Sequence, residues 1–152
     1  MAEFALVLTP LFLLLLGILQ MGLVLNAYVT ISNATREGAR TATIYLYDRG
    51  LTKTANDANR LSAAQSATTS SMGLLKKTAP QFSTATDFVL SYALCNSGGT
   101  NCVAETDTRT GQYVTVRITY HQDLVIPLIS SVLPKDGGGR MPLTAEVTMV
   151  VN

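Results

Sequence analysis

Glu3 is the ionisable residue whose surroundings most need a chemical explanation. It directly precedes a Leu-rich run from Phe4 to Leu25, and that run has roughly the 20 residues needed to span a membrane core. A carboxylate drawn towards hydrocarbon is costly unless a cation pairs with it. The sequence therefore predicts a membrane-spanning segment with one acidic group at its edge that needs a partner.

No catalytic constellation is predicted elsewhere in the chain. The single histidine, His121, would have to serve any nucleophilic triad. It falls on the polar face of a predicted strand, and no Gly-x-Ser-x-Gly element accompanies it. The glycine-containing stretches 96–100 and 136–140 lack the strand-loop-helix context and the Lys-Ser/Thr ending of a phosphate loop, so both are interpreted as turns. We expect neither an enzyme activity nor a bound cofactor.

Cys95 and Cys102 enclose a polar loop that contains glycine. An even number of cysteines in a small head domain favours a disulfide and an oxidising compartment, with two free thiols as the alternative. A zinc site needs four good ligands, which one histidine and two cysteines cannot supply. We therefore predict a disulfide between Cys95 and Cys102, and no metal site.

Charge is distributed unevenly along the 152 residues. No Asp, Glu, Lys or Arg occurs between Phe4 and Thr35, whereas the remainder resembles an ordinary soluble domain. The net charge of +1 comes without a basic cluster, and nucleic-acid binding needs a concentrated basic patch. The composition predicts a hydrophobic stem joined to a soluble head, with no nucleic-acid partner.

The apolar run continues without a turn signal into a segment whose apolar residues fall three or four positions apart. We predict one helix from about Ala2 to about Tyr47, apolar all round in its first half and amphipathic in its second. At 1.5 Å per residue it would be roughly 65–70 Å long. Its first half suits lipid or identical helices, and its second half suits the head. Pro10, Gly17 and Gly22 are interpreted as close-packing positions, with local melting as the alternative.

Residues 1–47 are thus predicted to form the stem and residues 48–152 the head. A second, Ala-rich helix is expected over about residues 52–79. Period-two alternation of β-branched residues predicts strands over about residues 87–95, 112–122 and 143–151. The predicted fold class is α+β, with a long N-terminal helical stem, a second helix and a small antiparallel sheet covered on one face by the helices.

Arg36 and Arg40 lie four residues apart, away from the apolar stripe. The residues leave two interpretations open. The arginines either form a solvated polar face with surface partners such as Glu37 and Asp48, which stabilise little, or pair with acids of a neighbouring subunit or with lipid headgroups. The small residues around Gly38 would permit close packing at this point.

Two stretches, "EFALVLTPLFLLLLGILQMGLVLNAY" and "NATREGAR", together resemble the TadE-like pilins and pseudopilins of the tight-adherence (Tad) branch of type IV pili. That family reads as a Glu-Phe-Ala-Leu start, an apolar run with an early proline, and an Asn-Ala-x-Arg-Glu-Gly-Ala-Arg element. The resemblance covers about the first quarter of the chain. The corresponding residues are Glu3, Phe4, Ala5, Leu6, Pro10, Asn33, Ala34, Arg36, Glu37, Gly38, Ala39 and Arg40.

The resemblance implies that a prepilin peptidase removes a short basic leader, and that the subunit then waits in the bacterial inner membrane with its head outside the cytoplasm. An assembly ATPase and platform proteins would extract stems into a helical filament of identical subunits. Glu3 is expected to meet the N-terminal amine of a neighbouring subunit, although the family's mature start usually lies a few residues before this glutamate. The other residues expected to act in assembly are Phe4, Pro10, Gly17, Gly22, Arg36, Glu37, Gly38 and Arg40.

We expect a structural pilin that polymerises through its stem into an extracellular pilus serving adhesion or surface attachment. A minor pseudopilin that initiates or caps the pilus would share every sequence feature. A membrane-anchored binding domain that never polymerises is the second class, and it predicts that Glu3→Ala is tolerated because no partner amine exists. An anchored periplasmic enzyme is the third class, for which the residues offer no site.

Overall fold

The computed structural model describes residues 2–126 and 133–152, with side chains from residue 7 onward. The side chains of Glu3 and Phe4 therefore lie outside the described residues. The described residues form two helices followed by three strands, which confirms the predicted α+β, pilin-like fold. The elements are α1 Ala2–Thr43, α2 Lys53–Ser71, β1 Phe88–Ala93, β2 Tyr113–Gln122 and β3 Met141–Val150.

Helix α1 is continuous through Pro10, and its two halves have different surroundings. Its lower half extends away from the head. Its upper half carries buried apolar residues at helical spacing, which form much of the hydrophobic core of the head. These residues are Val24, Ala27, Ile31, Ala34, Ala39 and Ala42.

The predicted end of α1 near Tyr47 is wrong by about one turn, since the helix ends at Thr43. The side chain of Asn56 explains the difference. Its Oδ1 accepts from the backbone N–H of Asp48 at 2.9 Å, and its Nδ2 donates to the Asp48 carbonyl at 2.9 Å. Both backbone polar groups of Asp48 are thus satisfied by a side chain at the start of α2 rather than by a continued helix.

Helix α2 begins with Thr52 as N-cap, whose hydroxyl accepts from the backbone N–H of Ala55 at 3.2 Å. The predicted end near residue 79 is wrong, because α2 ends at Ser71. Gly73 adopts a left-handed φ of 59°, which stops a helix and is the conformation that glycine tolerates best. Leu75, which falls within the predicted helix, still packs against the core from the turn that follows.

The sheet has the order β1-β2-β3 with both pairs antiparallel. The alternation predicted for β2 is confirmed: Val114, Val116, Ile118 and Tyr120 are buried, and the intervening residues are not. Helix α1 lies across β2 and β3, and α2 packs mainly on α1. The observed strand bounds lie within two residues of the predicted ones.

Candidate functional site: the apolar stem and its junction with the head

The lower half of α1 exposes an unusually large apolar surface. Its most apolar 18-residue window has a mean hydropathy of 2.3 and is only 11% buried, and the helix is long and apolar enough to cross a membrane. A core helix of a soluble protein would be mostly buried instead. The large exposed side chains are Val7, Leu11, Phe12, Leu13, Leu14, Leu15, Leu16, Ile18, Leu19, Met21, Leu23 and Leu25.

The three residues interpreted as close-packing positions of the stem differ in exposure on this surface. Pro10 is exposed, Gly17 is half-buried and Gly22 is exposed. A Cβ added to Gly22 would meet no atom within 4 Å. Leu8, Leu11, Phe12 and Leu15, which lie on one face of α1, line a groove that presents no polar surface. The stem thus offers lipid or another helix a continuous apolar face.

Gln20 is a polar residue inside this apolar stretch, and it is 1% exposed. Its Oε1 accepts a hydrogen bond from the backbone N–H of Val125 at 3.0 Å. Its Nε2 has no hydrogen-bond partner within the part of the chain that the structure describes. The connection between β2 and β3 therefore reaches down to the stem and covers this amide. No sequence pattern predicted that these two residues meet, since 105 positions separate them.

Gly38, which the sequence placed among the assembly residues, is buried against α2. A Cβ added there would overlap Oγ1 of Thr68 and lie 3.4 Å from the carbonyl oxygen of Ala64. Thr68 is fully buried, and its hydroxyl has no partner among the described residues. Gly38 therefore lets α1 and α2 approach closely within one subunit. Its role between subunits stays a prediction.

Arg36 and Arg40 are both exposed on α1. Arg40 Nη1 lies 3.7 Å from Glu37 Oε1 in a pair whose side chains are 67% and 45% exposed. Exposed pairs of this kind stabilise a protein by about 0–1 kcal/mol. This geometry agrees with the solvated-face interpretation for Arg40 and Glu37, and it leaves the charges accessible to a neighbour.

Cys95 and Cys102 form the predicted disulfide, with an S–S distance of 2.03 Å. The enclosed loop is ordered by Asn96, whose Oδ1 accepts from the backbone N–H of Thr100 at 2.8 Å. Val103 N–H donates to the Leu94 carbonyl at 2.8 Å and closes the loop. The disulfide thus fixes a small loop immediately after β1.

A cationic cluster at the α2 N-terminal end of the head was not predicted. Arg109 pairs with both carboxylate oxygens of Asp57, at 2.8 and 2.7 Å, and stacks 3.8 Å from the ring centre of Tyr92. The hydrogen bond to Asp57 raises the pKa of Arg109, and burial raises the pKa of Tyr92. Arg60, only 2% exposed, lies over the rings of Tyr92 and Tyr45. The i,i+3 spacing of Asp57 and Arg60 was the available sequence signal.

His121 is half-buried and lies between two carboxylates, whereas the sequence indicated a solvated strand residue. Its Nδ1 lies 2.6 Å from Asp136 Oδ2, and its Nε2 lies 3.5 Å from Asp87 Oδ1. Backbone hydrogen bonding by Arg140 is the main reason that the pKa of Asp136 is lowered, with His121 adding to the effect. Among the side chains that the structure describes, no three His, Cys, Asp or Glu converge on a metal-sized site.

Comparison with known proteins gives a match for the N-terminal part of the chain, which contains the stem. Residues 1–40 match the family model described as TadE-like protein, which confirms the resemblance over that segment. No curated protein and no solved structure was found to match the chain. The matched residues contain the exposed apolar surface, Gln20 and the Arg36–Arg40 element, whereas the sheet, the disulfide loop and the cationic cluster lie outside them.

Proposed function

Taking the TadE-like relationship of residues 1–40 as the premise, we propose that this chain is a pilin-like structural subunit of a Tad-type pilus. It is held in the inner membrane by the lower half of α1 and polymerises through the same surface into an extracellular filament. The head then forms the outer surface of the filament and mediates adhesion or surface attachment. A prepilin peptidase, an assembly ATPase and platform proteins are the partners that this role requires.

The observation that carries the proposal is the exposed apolar face of α1 within the family-matched residues. Ile18 is 65% exposed and Leu14 is 62% exposed, so this face needs either lipid or other apolar chains around it. Burying apolar surface contributes roughly 25 cal/mol per Å². The proposed function meets this requirement at both stages. Lipid covers the face in the membrane-anchored subunit, and neighbouring stems cover it in the filament.

In the proposed filament, pairing of Glu3 fixes the alignment of one stem relative to the next. A carboxylate within an apolar stem bundle is unfavourable alone and is stabilised by a cation at the same depth. The N-terminal amine of a neighbouring subunit supplies that cation. We expect Glu3→Gln and Glu3→Ala to abolish incorporation into filaments while leaving the amount of membrane-bound subunit unchanged.

The test compares filaments sheared from cells that express an epitope-tagged chain, using immunogold electron microscopy and immunoblotting of the sheared and membrane fractions. Glu146→Ala is the matched control, since Glu146 is exposed on β3. Normal incorporation of Glu3→Ala would refute the pairing, whereas absence of the parent chain itself from the sheared filaments would favour an anchored domain that never polymerises. Tagged chain found only at filament ends, with another protein as the major band, would assign it to the minor pseudopilins.

A further inference from the structure

We propose that residues 124–126 enter the outer leaflet of the membrane beside the stem, with Gln20 accepting a hydrogen bond from their backbone. Residues 124–126 are called the insertion segment below. The inference rests on the membrane-anchored stage of the proposed function and does not require polymerisation. It gives the head a second contact with lipid, of a different kind from the spanning helix.

The first observation in support of the insertion is the depth of Gln20 along α1. Gln20 lies 18 residues after Ala2, which corresponds to about 27 Å of helix, and the hydrocarbon core is about 30 Å thick. Exposed apolar side chains continue beyond Gln20, with Leu25 at 59%. Exposed Tyr28 follows and suits the membrane–water interface. When the stem spans the bilayer, Gln20 and the Val125 backbone bonded to it lie inside the outer leaflet.

The second observation is the hydrogen bond between the Val125 backbone and Gln20. A non-helical backbone N–H at membrane depth is costly unless the protein satisfies it. The Gln20 Oε1 accepts the Val125 N–H at 3.0 Å, and in return the segment covers Gln20 so that its amide is almost fully shielded. The Val125 side chain is 70% exposed and points an apolar surface outward, as a lipid-facing residue requires.

The third observation is a group of polar side chains around Asp123, which we call the polar collar. Asp123 accepts from Arg140 Nε at 3.1 Å and from Gln81 Nε2 at 2.9 Å, and it lies 4.0 Å from Lys76 Nζ. Asp123 lies two residues before Val125, so the two residues are at most about 7 Å apart. The collar therefore falls at headgroup level when Val125 is in hydrocarbon. Lys76, with a side chain 69% exposed, is available there to lipid phosphates.

The test measures depth directly in the full-length chain, reconstituted in vesicles of phosphatidylethanolamine and phosphatidylglycerol. The native cysteines are joined in a disulfide, so a spin label attaches only to an introduced thiol. Labels are placed by Val125→Cys in the segment, Leu15→Cys in the stem and Leu46→Cys at the far end of the head. Leu46 is 88% exposed, so its label reports the aqueous phase. The readout is the ratio of collision rates with oxygen and with a water-soluble nickel chelate.

We expect the ratio at residue 125 to exceed that at residue 46 several-fold and to lie below that at residue 15, which is about 7 Å deeper along α1. Adding Gln20→Leu should lower the ratio at residue 125 towards the aqueous value and leave residue 15 unchanged. A ratio at residue 125 equal to that at residue 46 would overturn the insertion segment alone. An aqueous ratio at residue 15 would refute the membrane-anchored stage and the insertion together.

A neighbouring stem is the other occupant that this apolar segment could meet. It predicts that the label at residue 125 is water-accessible in vesicles and becomes protected from both reagents only in purified filaments. That result would show that the partner is a second copy of the chain, and the lipid proposal would be wrong.

Discussion

Gly38→Ala tests how closely α1 must approach α2. Alanine would favour the helix by up to about 1 kcal/mol relative to glycine. Its Cβ would overlap Thr68 Oγ1 and lie 3.4 Å from the Ala64 carbonyl oxygen. Thr68 is fully buried, and a threonine in a helix has few rotamers available, so the overlap forces the helices apart.

Overpacking of this kind costs about 1–3 kcal/mol. Subtracting the helix-propensity gain leaves a net loss of about 1 kcal/mol, which lowers the melting temperature by roughly 2–4 °C in a chain of this size. Circular dichroism melting of the protein in detergent measures the shift. Gly22→Ala is the matched control on the same helix, because open space surrounds that position, and we expect it to leave the melting temperature unchanged or slightly higher.

Thr68→Ala supplies the decisive second variant. It removes the atom that a Cβ on residue 38 would strike, and the hydroxyl it deletes has no hydrogen-bond partner among the described residues. Gly38→Ala combined with Thr68→Ala should therefore recover most of the lost stability, with a coupling energy of about 0.5–3 kcal/mol. A stabilised single variant, or no recovery in the double variant, would refute the packing role. Normal stability with lost filaments would instead assign Gly38 to assembly.

Two further predictions concern the head. Replacing Cys95 and Cys102 by serine should destabilise it by at most about 2.5 kcal/mol, because the bridge closes a sequence separation of only 7; a melting temperature equal to that of the parent would contradict this. The Asp136 carboxyl has a pKa lowered below its ordinary value of 3.8, so its stabilisation is fully present above that value and is lost as the pH falls through the lowered pKa. Asp136→Asn should therefore flatten the acid limb of a melting temperature–pH profile, and an unchanged limb would be the contrary result.

The local patterns in the sequence predicted the elements well because each strand or helix face reports its own burial. The alternation around Val116 specified the inner face of β2, and the spacing through Ile31 specified the buried stripe of α1. Both signals depend only on neighbouring residues meeting one environment. The fold class followed from the order of these elements.

Contacts between distant segments were not predictable in the same way. Arg109 meets Asp57 across 52 positions, and charge type alone does not identify which acid a given arginine will bind. The end of α2 was mispredicted for a different reason. The sequence pattern predicted a helix to about residue 79, but α2 ends at Ser71, just before Gly73 adopts a left-handed conformation. Position-specific backbone conformation overrides a periodic pattern wherever the chain must turn.

The two halves of α1 differ in how freely they can change conformation. From Gln20 upward the helix carries buried residues of the head, including Val24 and Ala27, so unwinding there would expose core side chains. Gly22, although its surroundings are open, lies between buried Gln20 and Val24 and is held by both. Below Gln20 the helix contains Pro10, which lacks a backbone donor, and the family-matched apolar surface is exposed. In the proposed function, the segment that exchanges lipid for protein is therefore the one whose conformation the head does not fix.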